Sequence, residues 1–153
     1  MKEHKGKLDG KNKRIAVVVS RFNEFVAKEL LAGALDELAR LSVSDENIEV
    51  FWTPGAYEIP LVIKKLTERK SFDGIIALGV VLRGETSHFE YIARSVSNGI
   101  SRLSLDTGLP VSFGVLTPDD IEQAVARAGG KAGNKGRDAA QSLVEMLSLI
   151  EGI

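Results

Sequence analysis

Four continuous apolar runs, each of strand length and each followed by a segment with helical spacing, limit what this chain can fold into more than any other feature. "IAVVVS" at 15–20 is rich in β-branched residues and lacks polar alternation, as expected of a strand covered on both faces. Val26, Leu30, Leu31, Ala34, Leu35 and Leu38 then recur at helical spacing. At "IEVFW" (48–52) the pattern returns, and "TPGAYEIP" leads into a helix with Pro60 in its first turn. The third run, "GIIALGVVL" (74–82), precedes Ser87 and Glu90, whose spacing predicts a capping box opening a helix to about Leu105. After "VSFGVL" (111–116), Thr117 as N-cap, Pro118 and two aspartates predict a helix that stops at Gly129-Gly130. The glycine-rich "GGKAGNKG" then separates it from a last amphipathic helix over roughly 137–150.

Buried strands alternating with helices predict a four-stranded parallel sheet in a three-layer α/β/α sandwich, joined by right-handed crossovers. Residues 14–153 read as one domain, and the polar leader 1–13 as an arm with no core of its own. In such sheets ligands bind beyond the carboxyl ends of the strands, where loops and helix N-termini converge. Those ends carry Arg21-Phe22-Asn23, Pro54 to Glu58, Leu82 to Thr86 with His88, and Phe113 to Thr117.

Composition removes several classes of function. The 153 residues include no cysteine, which excludes disulfides, thiolate chemistry and cysteine-ligated metals and fits a reducing compartment. Twenty basic against twenty-one acidic residues give a formal net charge of −1, so no global field favours nucleic acid or an anionic membrane. The apolar run after the basic leader is too short for a signal-peptide core, and no run approaches the ~20 residues of a membrane span. A cytoplasmic protein is expected.

Each strand-end residue has an ordinary and a functional reading. Phe22 fits a hydrophobic staple or a platform for a flat heterocycle. Glu58 fits a partner for a helix dipole or an acceptor for polyol hydroxyls. Gly84, Glu85 and Thr86 fit a plain helix approach or an anion cradle. His88, one of only two histidines, fits surface decoration or a proton carrier, imidazole having an unperturbed pKa of about 6.5. Arg127, Lys131, Lys135 and Arg137 fit a solvated rim or a phosphate clamp. Neither a P-loop nor a G-x-G-x-x-G fingerprint occurs. The acidic residues of a receiver domain are missing as well, Ser20-Arg21 and Val81-Leu82 standing at those strand ends.

Taken together, "SRFNEF", "TPGAYEIP", "ALGVVLRGETSHFEYIA", "SFGVLTPDDIEQAVARAG" and "KAGNKGRDAA" closely resemble the 6,7-dimethyl-8-ribityllumazine synthases, over about residues 14–147. Five motifs appear in order at the family's spacings. The resemblance implies a flavodoxin-like fold and a transferase of riboflavin biosynthesis. The implied reaction condenses 5-amino-6-(D-ribitylamino)uracil with 3,4-dihydroxy-2-butanone 4-phosphate, needing neither metal nor organic cofactor. It implies that Phe22 stacks on the pyrimidine, that Ala56, Tyr57 and Glu58 receive ring and ribityl groups, and that Val80, Val81 and Leu82 offer a backbone edge. By the same resemblance Phe113 closes the pocket, Glu85 and Thr86 hold the phosphate with Arg127, and His88 transfers protons. Asn23, Lys135 and Asp138 would support the site, Asp138 standing where many members carry Glu.

The resemblance further implies a homo-oligomer. In it the residues around His4 to Leu8 add a strand to a neighbouring subunit, forming pentamers with sites between subunits. The short loop "AGGKAGNKG" lacks the insertion of members that stop at pentamers, which predicts an icosahedral shell of pentamers. Riboflavin synthase is the expected pathway neighbour. The alternative is a self-assembling shell or flavin-binding protein of the same fold without catalysis.

Overall fold

The computed structural model describes residues 1–153. Strands β1 (Ile15–Ser20), β2 (Ile48–Thr53), β3 (Gly74–Val80) and β4 (Val111–Leu116) form one parallel sheet in the order β2-β1-β3-β4. Ile15 stands beside Ile48 on one side and Gly74 on the other, and Ile75 beside Val111. Helices α1 (Glu24–Arg40), α2 (Ile59–Arg69), α3 (His88–Thr107), α4 (Ile121–Arg127) and α5 (Lys135–Glu151) cover the sheet. A short antiparallel pair, β5 (Ala128–Gly130) and β6 (Gly133–Asn134), folds the glycine-rich loop back on itself.

Strand order decides which helix covers which face. From β1 the chain steps outward to β2, then returns across β1 to β3 and continues to β4. Right-handed crossovers running in opposite directions throw their helices onto opposite faces. Accordingly Ile15, Val17, Val19, Ile76 and Leu78 pack with residues of α1, α4 and α5, while Ala16, Val18, Ile75 and Ala77 pack with α2 and α3. The reversal opens a crevice at the carboxyl ends of β1 and β3, the topological switch point where α/β sheets bind ligands. The three-layer α/β/α, flavodoxin-like expectation is met.

Only the two central strands are wholly buried. On the edge strand β2, Val50 and Trp52 remain exposed, and on β4 Phe113 does. The arm contains no strand within this chain: Lys7 N–H donates to Ser148 Oγ at 2.9 Å, Gly10 N–H to the Leu41 carbonyl at 2.7 Å, and Lys13 pairs with Glu151.

Two helix starts and one cap differ from the sequence reading. Helix α4 begins at Ile121 with Asp120, not Thr117, as its N-cap: Asp120 Oδ1 accepts from Gln123 N–H at 2.8 Å. Gln123 Oε1 accepts from Asp119 N–H at 2.9 Å, so the local bonds favour the second aspartate and leave Thr117 in the loop. The Ser87–Glu90 box does not form. Ser87 stands at the N-cap of α3 as expected, but its side chain caps nothing, while Glu90 faces Arg83 at 3.9 Å. Helix α5 starts at Lys135, earlier than 137, because the Asn134 side chain accepts from the N–H groups of both Gly136 and Arg137. Gly136 lies against the Leu30 carbonyl, where a Cβ would collide; a side chain there would push α5 off α1.

Candidate active site

Local chemistry at each strand end explains how the site residues are presented. After β1 the backbone turns at Asn23, which adopts left-handed φ 55° and ψ 53°, a conformation asparagine tolerates better than branched residues. This turn leaves the Phe22 ring 59% exposed. Asn23 does not cap α1 with its side chain, and its buried Nδ2 has no hydrogen-bond partner. After β2, buried Thr53 donates its hydroxyl to the Gly55 carbonyl at 2.7 Å, and its own carbonyl accepts from Arg21 N–H at 2.8 Å. These two bonds tie the β1 and β2 exits together. A 3₁₀ turn at Ala56–Glu58 then points Tyr57, 60% exposed, out of the sheet end.

The crevice at the switch point is a cavity of about 420 Å³. Phe22, Ala56, Tyr57, Glu58, Val80, Val81, Leu82 and His88 all line it, so three strand exits converge there. Phe89 and Ile92 of α3, which the sequence reading did not single out, complete the apolar wall. Helical spacing was the available signal for Ile92, which lies four positions on from His88 and three on from Phe89 and so shares a side of α3 with each. His88 stands exposed at the first position of α3; its backbone N–H donates to Thr86 Oγ1 at 3.3 Å.

Gly84, Glu85 and Thr86 form an exposed turn beside this cavity rather than part of its lining. A Cβ on Gly84 would meet nothing within 4 Å. Neither packing nor backbone angle within the chain requires glycine there, so the space stays open to whatever approaches.

A second pocket, of about 440 Å³, lies at the end of β4 and holds Phe113, Thr117, Asp119, Gln123, Arg127 and Lys135. Arg127 Nη1 donates to Gln123 Oε1 at 3.2 Å, and no carboxylate pairs with it. Its charge therefore remains available to an anion. Lys135 Nζ is 3.3 Å from Asp138 Oδ2, across one turn of α5. Asp138 itself borders a larger groove of about 550 Å³ along β4 and α5. That groove is mostly apolar, and Lys135 and Asp138 are its only charged lining residues. Within one chain, then, His88, Glu85 and Thr86 do not meet Arg127 and Phe113: the expected site residues fall into two separate places.

The arrangement offers an aromatic platform, a carboxylate, backbone edges and one imidazole in the first cavity, and an arginine without a carboxylate partner in the second. A family model described as 6,7-dimethyl-8-ribityllumazine synthase matches residues 12–151.

Proposed function

We propose, from the premise that this chain belongs to the 6,7-dimethyl-8-ribityllumazine synthase family, that it condenses 5-amino-6-(D-ribitylamino)uracil with 3,4-dihydroxy-2-butanone 4-phosphate. The products are 6,7-dimethyl-8-ribityllumazine, inorganic phosphate and water, in the penultimate step of riboflavin biosynthesis; riboflavin synthase would consume the lumazine. The observation that carries this reading is the convergence of Phe22, Ala56 to Glu58, Val80 to Leu82 and His88 on one cavity.

In this reading Phe22 stacks on the pyrimidine, and the backbone at Val80 to Leu82 offers hydrogen bonds to its edge. Glu58 accepts from ribityl hydroxyls. The substrate amine attacks the ketone and the carbinolamine loses one water, phosphate is eliminated, and the second amine attacks the remaining carbonyl, a second water leaving as the ring closes. Protons move at every stage, which suits an imidazole, a group that can both donate and accept a proton. Arg127 holds the phosphate with Glu85 and Thr86 through charge-assisted hydrogen bonds.

The separation of Arg127 and Phe113 from His88 supports a site shared between two copies. We place the second pocket of one copy against the first cavity of the next, with the arm 1–13 adding a strand to a neighbour. Exposed Val50 and Trp52 on β2 and Phe113 on β4 are the surfaces such packing would cover. Rings of five, closing into an icosahedral shell, are the proposed assembly. No helix is long and apolar enough to cross a membrane, and the cytoplasm is the proposed site of action.

The direct test mixes purified protein with both substrates and follows lumazine fluorescence together with free phosphate. Stoichiometric release of both is expected. Correctly folded protein that produces neither would overturn the proposal.

A further inference from the structure

We infer that Arg83 is a positioning residue of the proposed reaction, holding the helix start that carries His88 to the loop and helix that carry Arg127. Every residue from Arg83 to His88 is exposed, so core packing does not fix this turn. Among them Arg83 is the residue whose side chain reaches across to the loop before α4. Its Nε donates to Asp119 Oδ1 at 3.0 Å, and its backbone N–H donates to the Pro118 carbonyl at 3.1 Å. The guanidinium carbon lies 4.7 Å from the centre of the Phe89 ring, and Nη1 is 3.9 Å from Glu90 Oε1. Phe89 lines the first cavity. One planar group thus grips α3 on both residues that follow His88.

The path continues on the other side. Asp119 N–H donates to Gln123 Oε1 at 2.9 Å, and the same oxygen accepts from Arg127 Nη1 at 3.2 Å. A run of hydrogen bonds, passing through both the carboxylate and the backbone N–H of Asp119, therefore connects Arg127 to Arg83, whose guanidinium lies over Phe89 in the wall of the cavity holding His88. The Arg83–Asp119 pair is half exposed, and such a pair adds little to stability. What it sets is geometry: a planar fork that pairs and stacks at once fixes orientation as a lysine cannot. A misplacement of about 1 Å can cost about 10²-fold in rate.

This inference rests on the proposed condensation, and its test separates the two. Wild type, Arg83→Ala, Arg83→Lys, Asp119→Asn and the Arg83→Ala/Asp119→Asn double variant are assayed with both substrates as assembled protein. Arg83→Ala and Asp119→Asn should each lower kcat by about 10-fold while KM for the uracil changes by less than about 3-fold. The double variant should be no worse than Arg83→Ala, as expected for one shared contact. Lysine should restore part of the rate by keeping the charge pair without the fork. Should Arg83→Ala assemble wrongly by light scattering, Arg83→Lys and Asp119→Asn carry the test. An active wild type whose kcat is unchanged in these variants, or single losses that multiply in the double, overturns the role of Arg83 alone. A wild type that forms no lumazine overturns the condensation and this role with it.

Discussion

His88→Ala should lower kcat by roughly 10- to 10⁴-fold, the range of general acid–base help, with little change in substrate binding. The position tolerates truncation because the imidazole is exposed and makes no side-chain bond that holds α3 in place. A variant matching wild type from about pH 6 to 8 would remove the proton-transfer role. Arg127→Ala should weaken butanone phosphate by about 1.5–3 kcal/mol and the uracil far less, and lysine should rescue only in part. Calorimetric titration of each substrate separately checks it, equal losses for both pointing to a misfolded site. Residues such as Phe22, Glu58 and His88 were legible in the sequence because strand ends gather at one edge of a parallel sheet. Arg83 was not, since its partner Asp119 lies far along the chain and surface pairing has no periodicity. Nor does spacing reveal that Arg127 opens into a different pocket from His88.

At the scale of elements, Asn134 concentrates several contacts. Its side chain caps α5 through two backbone N–H groups, and its Nδ2 donates to the Glu29 carbonyl of α1 at 3.0 Å. Asn134→Ala should therefore cost about 1–2 kcal/mol, read from chemical denaturation. A midpoint equal to wild type would show that the cap contributes nothing. A second link between these helices is electrostatic: Asp36 Oδ2 accepts from Arg40 Nε and Arg137 Nη2, both at 2.9 Å. The hydrogen bond from Arg40, aided by the charges of Arg40 and Arg137, holds the Asp36 carboxyl below its ordinary value. A carboxyl lowered on folding stabilises the fold above its unfolded pKa and loses that effect as pH falls through the folded value. Any advantage of wild type over Asp36→Asn in melting temperature, small because the groups are exposed, should be present near pH 6 and fade as the pH falls below the ordinary carboxylate range and the folded carboxyl takes up its proton. A gap that persists in acid would contradict it. Strands were legible here because continuous β-branched runs have few alternatives. Helix starts were less so, since "TPDD" offers several caps and only the fold decides which carboxylate meets Gln123.

For the molecule as a whole, the sheet edges and the pocket division point the same way. Untagged protein should scatter light as hollow particles of megadalton mass; a uniform species of five or ten chains across buffers would refute the shell. Three-layer architecture could be read from the order of apolar runs, because crossover handedness leaves few arrangements. The course of the arm could not, as residues 1–13 carry no apolar pattern to register against either edge.

His88 and Arg127 occupying different pockets of one chain has a genetic consequence. Two defective alleles, His88→Ala and Arg127→Ala, would each damage a different partner of the proposed shared site. Co-expressed in one cell, their products would mix in the rings, and about one interface in four would receive an intact His88 from one chain and an intact Arg127 from its neighbour. Each allele alone should slow the growth of a riboflavin-requiring strain, whereas the pair should speed it beyond either one. Intragenic complementation would thus report on the architecture without purifying the protein, and persistent failure of the pair, with both chains expressed and assembled, would mean that each chain completes its own site.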